Sequence, residues 1–206
     1  MAAIPHGGID SATQRSGKRK PQPLPHPLTV DERRALLAQP NEKAPTAVRD
    51  RALIATMLLA GLRISEALNL RQRDIDWNAK PAPLIRVIRG KGGKDRVVPA
   101  EPLLEAYLRE WRARRPSGER FFNTLRGGCL NDRVVRRMVK RRGAKAGISD
   151  TWPHRLRHTA ATVWIAERNL DLHEAQLLLG HSRITTTQKY LHASLPTLSE
   201  KFAAFT

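Results

Sequence analysis

The chain has 206 residues, with 37 Lys and Arg against 19 Asp and Glu, a formal net charge of +18. That length holds one domain with a sizeable core, and so large a cationic excess works against the compact state unless a polyanion, nucleic acid first, takes it up. A single cysteine, Cys129, excludes an intramolecular disulfide, and there is neither a membrane-length apolar run of ~18 residues nor a secretory signal core.

Residues 1–27 read as a disordered, basic, Pro-rich tail with almost nothing to bury. Order is expected from residue 28 to 206. "LTVDERRALLAQ" opens it, with Thr29 and Glu32 at capping-box spacing and Leu36 and Leu37 as an apolar face. In "PTAVRDRALIATMLLAGLR" the run from Ala52 to Ala60 is apolar nearly all round, which predicts a central core helix stopped at Gly61. "ISEALNL" predicts a short helix. "LIRVIRGKGGKDRVVP" predicts two strands, Leu84–Ile88 and Arg96–Val98, joined by a Gly-rich turn. Glu101 to Arg115 returns to helix, with a stripe of Leu104, Tyr107 or Leu108, and Trp111. Tyr107 on that stripe is packing rather than exposed chemistry. The class is mostly α with a small antiparallel β-hairpin.

"LNDRVVRRMVKRRGAK" carries the most informative charge pattern. At ~100° per residue, Arg136, Arg137, Lys140 and Arg141 fall within about 80° of Arg133 on a helical wheel. Val134, Val135, Met138 and Val139 fall on the far side, expected to face the core. A solvated helix face usually alternates its charges; Asp132 is the one acid in this segment. Five cations on one face predict contact with a phosphate backbone or groove.

Four further segments hold residue types suited to chemistry. "AGLRISEAL" puts Arg63 and Glu66 one helical turn apart, "RGKGGKDR" puts Lys91 and Lys94 on the hairpin tip, "PHRLRHTAAT" puts His154, Arg157 and His158 at a helix start, and "LLLGHSRITTTQKYLH" carries His181 and Tyr190. "GKGGKD" lacks phosphate-loop spacing, "HEAQL" lacks the second metal-binding histidine, and no paired-cysteine pattern exists. No metal or cofactor is expected. Singly, each residue has a plain structural reading: Arg63 as an ion pair to Glu66, His154 as a helix cap.

Together and in this order, the four segments resemble the boxes of the tyrosine recombinase (phage integrase) family, the Xer-type branch being the nearest in wording. The resemblance covers residues 28 to about 195. It implies the catalytic-domain fold of that family and site-specific cutting and rejoining of double-stranded DNA. By resemblance, Tyr190 is the nucleophile, forming a 3′-phosphotyrosyl link and freeing a 5′-hydroxyl. Arg63 and Arg157 clamp the nonbridging phosphate oxygens, Lys91 protonates the leaving oxygen, His154 accepts or orients the tyrosine proton, and His181 donates to the phosphate. Glu66 supports the arginines from behind. Lys94 competes with Lys91 for the acid role and otherwise joins the DNA contacts. The resemblance also implies a homotetramer on two DNA sites, in the cytoplasm at the nucleoid, with no membrane partner. The N-terminal helical domain usual in the family is expected to be absent. The segment after Tyr190, with Leu195, Leu198, Phe202 and Phe205, either docks on a neighbouring protomer, as the family does, or packs in cis. Two other functions stay open at this stage: type IB topoisomerase-like relaxation, and DNA binding by a non-catalytic remnant of an integrase.

Overall fold

The computed structural model describes residues 26–39, 44–88, 95–180 and 202–203. A helix without a polar stripe has to be enclosed on all sides, and Ala47–Leu59 (α2) is: Ala52, Leu53, Ile54, Ala55 and Met57 are fully buried. Val30–Ala38 (α1) precedes it. There the capping box is formed, Glu32 N–H donating to Thr29 Oγ1 at 3.2 Å and Thr29 N–H to Glu32 Oε2 at 2.8 Å. Ile64–Asn69 (α3) follows α2, and Pro102–Arg114 (α4) and Pro153–Ala166 (α6) pack against it.

Beside the helices lies a three-stranded antiparallel sheet of Ile75–Asp76 (β1), Leu84–Val87 (β2) and Arg96–Pro99 (β3), in that spatial order. Val87 stands opposite Arg96 and Leu84 opposite Pro99. The expected hairpin is therefore present with one more strand on its edge. Two residues are too few to show alternation, which is why β1 is silent in the sequence. In α4 the buried stripe is Leu104, Leu108 and Trp111. Tyr107 is half-buried at its margin, with the Arg51 guanidinium 5.6 Å from its ring centroid.

The basic helix is Asp132–Lys145 (α5), capped by Asn131, whose side chain accepts from Arg133 N–H at 2.9 Å. Its core stripe is Val135, Met138, Val139, Arg142 and Gly143. Val134 corrects the expectation: it is 47% exposed. It lies about 100° ahead of Val135 on the wheel, which puts it beside Arg141 on the solvent flank. Arg142 takes the inward place instead. It donates to Asp50 Oδ2 on α2 at 3.3 Å and to the Gln39 carbonyl at 3.4 Å. Gly143 lets the following loop come close, since a Cβ there would lie 2.1 Å from Thr151 Oγ1. The segment that leads into α6 thus packs on the last turns of α5.

A further helix, Leu172–Leu179 (α7), has its own capping box, Asp171 with Glu174, and ends at Gly180 with φ +66°. Phe202 is fully buried in cis, its ring 5.9 Å from that of Trp164 and 4.8 Å from the Arg168 guanidinium. Among the described residues no helix is long and apolar enough to cross a membrane.

Candidate active site

The site begins where α2 stops. Gly61 adopts φ +60°, a conformation open to glycine and strained for other residues. This turns the chain so that the Gly61 carbonyl accepts from Arg157 Nη1 at 2.6 Å. A side chain at position 61 would also meet Trp164 Cη2 at 2.8 Å. Arg63 is then extended and precedes α3. Glu66, in the first turn of α3, reaches back: Oε2 accepts Arg63 N–H at 2.7 Å and Oε1 accepts Arg63 Nη1 at 3.0 Å. The structural reading of Arg63 as the ion-pair partner of Glu66 is thus correct as geometry, and it coexists with exposure of 42% of the Arg63 side chain.

Arg157 comes from the first turns of α6, whose N-cap is Trp152 with Pro153 at the first helical position. His154 therefore does not cap the helix; it stands exposed one turn before Arg157. Arg157 is buried and fixed from three sides. Nη1 bonds the Gly61 carbonyl and lies 3.7 Å from Glu66 Oε2, and Nη2 donates to the Leu179 carbonyl at 2.7 Å.

The residue missed in the sequence is Arg96, on β3. It is 3% exposed and gives Nη1 to Glu66 Oε1 at 2.8 Å, Nη2 to Glu66 Oε2 at 2.7 Å and Nε to the Leu178 carbonyl at 2.5 Å. A signal was present: strand alternation puts Arg96 on the same face as the fully buried Val98. An arginine on a core face requires an acid. Glu66 thus holds guanidiniums from three places, the N-cap of α3, β3 and α6. Burial alone would raise its pKa, but the Arg96 hydrogen bonds and charge, with the Arg63 backbone N–H and the Arg157 charge, lower it to about 2. It is an anion at any ordinary pH, and three guanidiniums around one carboxylate leave an excess of two positive charges.

Two of these guanidiniums, those of Arg63 and Arg157, border an open cleft of about 230 Å³ that is also lined by Ile64, Ser65, Arg136, Pro153 and His154. Four of the sequence-derived site residues, Arg63, Glu66, His154 and Arg157, are therefore brought together, and Arg136 of the basic face joins them. Arg133, Arg137, Lys140 and Arg141 lie on the exposed face of α5. Lys91, Lys94, His181 and Tyr190 lie outside the described residues. The chain elements next to them do reach the site: β3 begins at Arg96 just after the Lys91–Lys94 connection, and Leu178 and Leu179 accept from Arg96 and Arg157 shortly before His181. Among the described residues no three His, Cys, Asp or Glu side chains are grouped to hold a metal ion. A cationic cleft at the first turn of α6 suits an oxyanion with developing charge, a phosphate above all.

Comparison with known proteins gives the same direction. The profile described as "Phage integrase family" matches residues 26–195. "Tyrosine recombinase XerC" of Chlamydia trachomatis (serovar L2, strain 434/Bu) is 39% identical over 187 residues, covering 87% of this chain and 58% of the relative. The XerC of Xanthomonas axonopodis pv. citri is 39% identical over 191 residues, covering 90% and 60%. The chain thus spans less than two thirds of the length of these relatives. Among solved structures, the XerA recombinase matches with a TM-score of 0.68 at 29% identity, covering 88% of this chain and 66% of that one. The XerH site-specific recombinase bound to its difH substrate matches at 0.66 and 29%, covering 84% and 52%. The lambda integrase catalytic core, at 22% identity and 0.61, covers 78% of this chain and 94% of its own and shares the fold.

Proposed function

The chain belongs to the phage integrase family, and on that premise we propose that it cuts and rejoins double-stranded DNA at specific sites. The nucleophile is Tyr190. Its phenolic oxygen attacks a backbone phosphorus, the bond to the 5′-oxygen breaks, and the 3′-phosphate stays on the tyrosine. The tyrosine proton passes to His154, and the leaving 5′-oxygen takes a proton from Lys91. Arg63 and Arg157 bind the two nonbridging oxygens, on which negative charge grows as the fifth bond forms. His181 donates to the same phosphate. Reversal of these steps with a new 5′-hydroxyl completes strand exchange, and the covalent link conserves the bond, so no nucleotide cofactor is consumed.

The observation that carries this reading is the convergence of Arg63 and Arg157 on Glu66 at the wall of one cleft that also holds His154. Arg157 is restrained by two carbonyls, Arg63 by Glu66, and Glu66 by Arg96. Such restraint places charge before the reaction rather than during it. Arg133, Arg137, Lys140, Arg141 and Lys94 hold the flanking duplex, and the acting form is a tetramer on two DNA sites. The likeness to XerC relatives over 87% of the chain favours recombination over supercoil relaxation and over a binding-only remnant.

The test is a nicked suicide duplex carrying a site that the chain itself selects from random sequence. A covalent adduct is expected with the unaltered chain and none with Tyr190→Phe. Binding without any adduct would leave a DNA-binding protein. An adduct that survives Tyr190→Phe would move the nucleophile elsewhere.

A further inference from the structure

Of the five cations on the basic face of α5, one differs from the other four. Arg133, Arg137, Lys140 and Arg141 point outward on the exposed face, whereas Arg136 borders the cleft with Arg63, His154 and Arg157. Its guanidinium is already engaged. Nε donates to Oδ1 of Asp132 and Nη2 donates to Oδ2 at 3.1 Å. This two-point fork is also how arginine grips two oxygens of a phosphate. Here the Asp132 carboxylate takes that fork.

Two acid–arginine pairs adjoin residues of the cleft, Glu66–Arg96 behind Arg63 and Arg157 and Asp132–Arg136 through Arg136 itself, and their burial separates them. The Glu66 and Arg96 side chains are 9% and 3% exposed, and separating them would take the carboxylate from a buried guanidinium. The Asp132 and Arg136 side chains are 45% and 54% exposed. An exposed pair one turn apart is weak, and an incoming anion displaces it readily. The cleft has one fixed pair behind it and one exchangeable pair at its rim.

We propose that Asp132 and Arg136 form an exchangeable latch. Entry of DNA moves the Arg136 fork from Asp132 to the backbone phosphate next to the reacting one, and this contact sets the register of the strand in the cleft. The inference rests on the DNA reading above. The reacting phosphate offers two nonbridging oxygens, and the forks from α3 and α6 take them. Arg136 approaches from α5, on the side where the basic face continues out of the cleft, so the next phosphate along the strand is its partner. In this role Arg136 is a positioning residue, and Asp132 keeps it oriented until DNA arrives.

The experiment measures equilibrium affinity of the full chain for a selected duplex in which one phosphate at a time is a neutral methylphosphonate. The chains are the unaltered protein, Asp132→Asn, Arg136→Ala and the double variant, each checked for native circular dichroism. Arg136→Ala should lower the slope of log K against log salt by about 0.9. Its loss of affinity should vanish on one duplex only, the one neutralised beside the reacting phosphate, because the same contact cannot be lost twice. Asp132→Asn should tighten binding in the unaltered background and leave Arg136→Ala unchanged. The latch is overturned if the Arg136→Ala loss persists on every neutralised duplex. It is equally overturned if Asp132→Asn tightens binding as much without Arg136 as with it, which is what simple repulsion between Asp132 and DNA would give. Affinity is read without cleavage, so a chain that binds but forms no phosphotyrosyl adduct refutes the proposed reaction while the latch is still decided. No binding to any duplex would refute both.

Discussion

Arg96 closes on Glu66 with both terminal nitrogens, at 2.8 and 2.7 Å, across 30 positions of sequence. The pair joins β3 to α3 and, through the Leu178 carbonyl, to α7. It stands behind Arg63 and Arg157, two of the residues that line the cleft. Replacing Arg96 by Met keeps volume but takes from the buried carboxylate its two-point partner. A stability loss of about 3–5 kcal/mol is expected, as for other broken buried pairs. Arg96→Lys keeps the charge, loses the fork and should cost less. Urea denaturation of both variants measures the difference. Equal losses would mean that charge, and not the two-point geometry, is what matters here.

The same carboxylate gives a pH dependence with a definite sign. The Glu66 pKa is lowered from 4.5 to about 2 on folding. Between those values the unfolded chain binds more protons than the folded one, so stability rises with pH across the window. The contribution is complete above pH 4.5 and disappears as the pH falls toward 2. Its size is about 3 kcal/mol. Glu66→Gln should remove this component, so the stability difference between the two chains shrinks as pH falls from 4.5 to 2. A difference that stays constant over that range would show that the arginines do not hold the charged form as drawn.

Gly61 is predicted to resist even the smallest side chain. Gly61→Ala places a Cβ at positive φ and 2.8 Å from Trp164 Cη2. Backbone strain of about 1–2 kcal/mol and overpacking of about 1–3 kcal/mol should add. The Gly61 carbonyl that restrains Arg157 would shift as well. Thermal melting should show the destabilisation, and adduct formation with the suicide duplex should fall further than the loss of folded chain accounts for. A variant that melts lower but cleaves normally would separate the turn from the arginine.

What could be read from the sequence was what is local. The Thr29–Glu32 capping box, the stop at Gly61 and the Arg63–Glu66 pair each lie within one helical turn, so spacing alone reveals them. The apolar run Ala52–Ala60 declares a central helix because no other position in the fold would hide it. Arg96 was not legible, because its acid lies on another element and a buried arginine looks like any cation in a strand. Val134 was placed in the core because a wheel orders residues around a helix without saying where the neighbouring element ends; Arg142, paired with Asp50 on α2, occupies that inward arc instead. Arg136 illustrates the same limit from the other side. The wheel assigns it to the basic face, but only the packing of α5 beside α3 and the nearness of Pro153 and His154 make it a wall of the cleft. The nucleophile box and the hairpin lysines are assigned through the motif order alone, and Tyr190, His181, Lys91 and Lys94 lie outside the described residues.

Arg63 and lysine at the same position would differ in geometry more than in charge. Arg63 directs Nη1 at Glu66 and still has 42% of its side chain exposed toward the cleft. A guanidinium can be braced by a carboxylate with one nitrogen and meet a phosphate oxygen with another; a single ammonium on a flexible stem cannot hold both directions. Arg63→Lys should therefore bind DNA with nearly unchanged salt dependence, since the phosphate is still neutralised. Cleavage should slow by roughly 100-fold or more, the scale for losing one preorganised donor to a developing oxyanion. Single-turnover adduct formation measures the rate and a salt titration of affinity measures the charge. If the two fall together, Arg63 acts through ground-state binding; if neither changes, the phosphate is held by Arg157 without it.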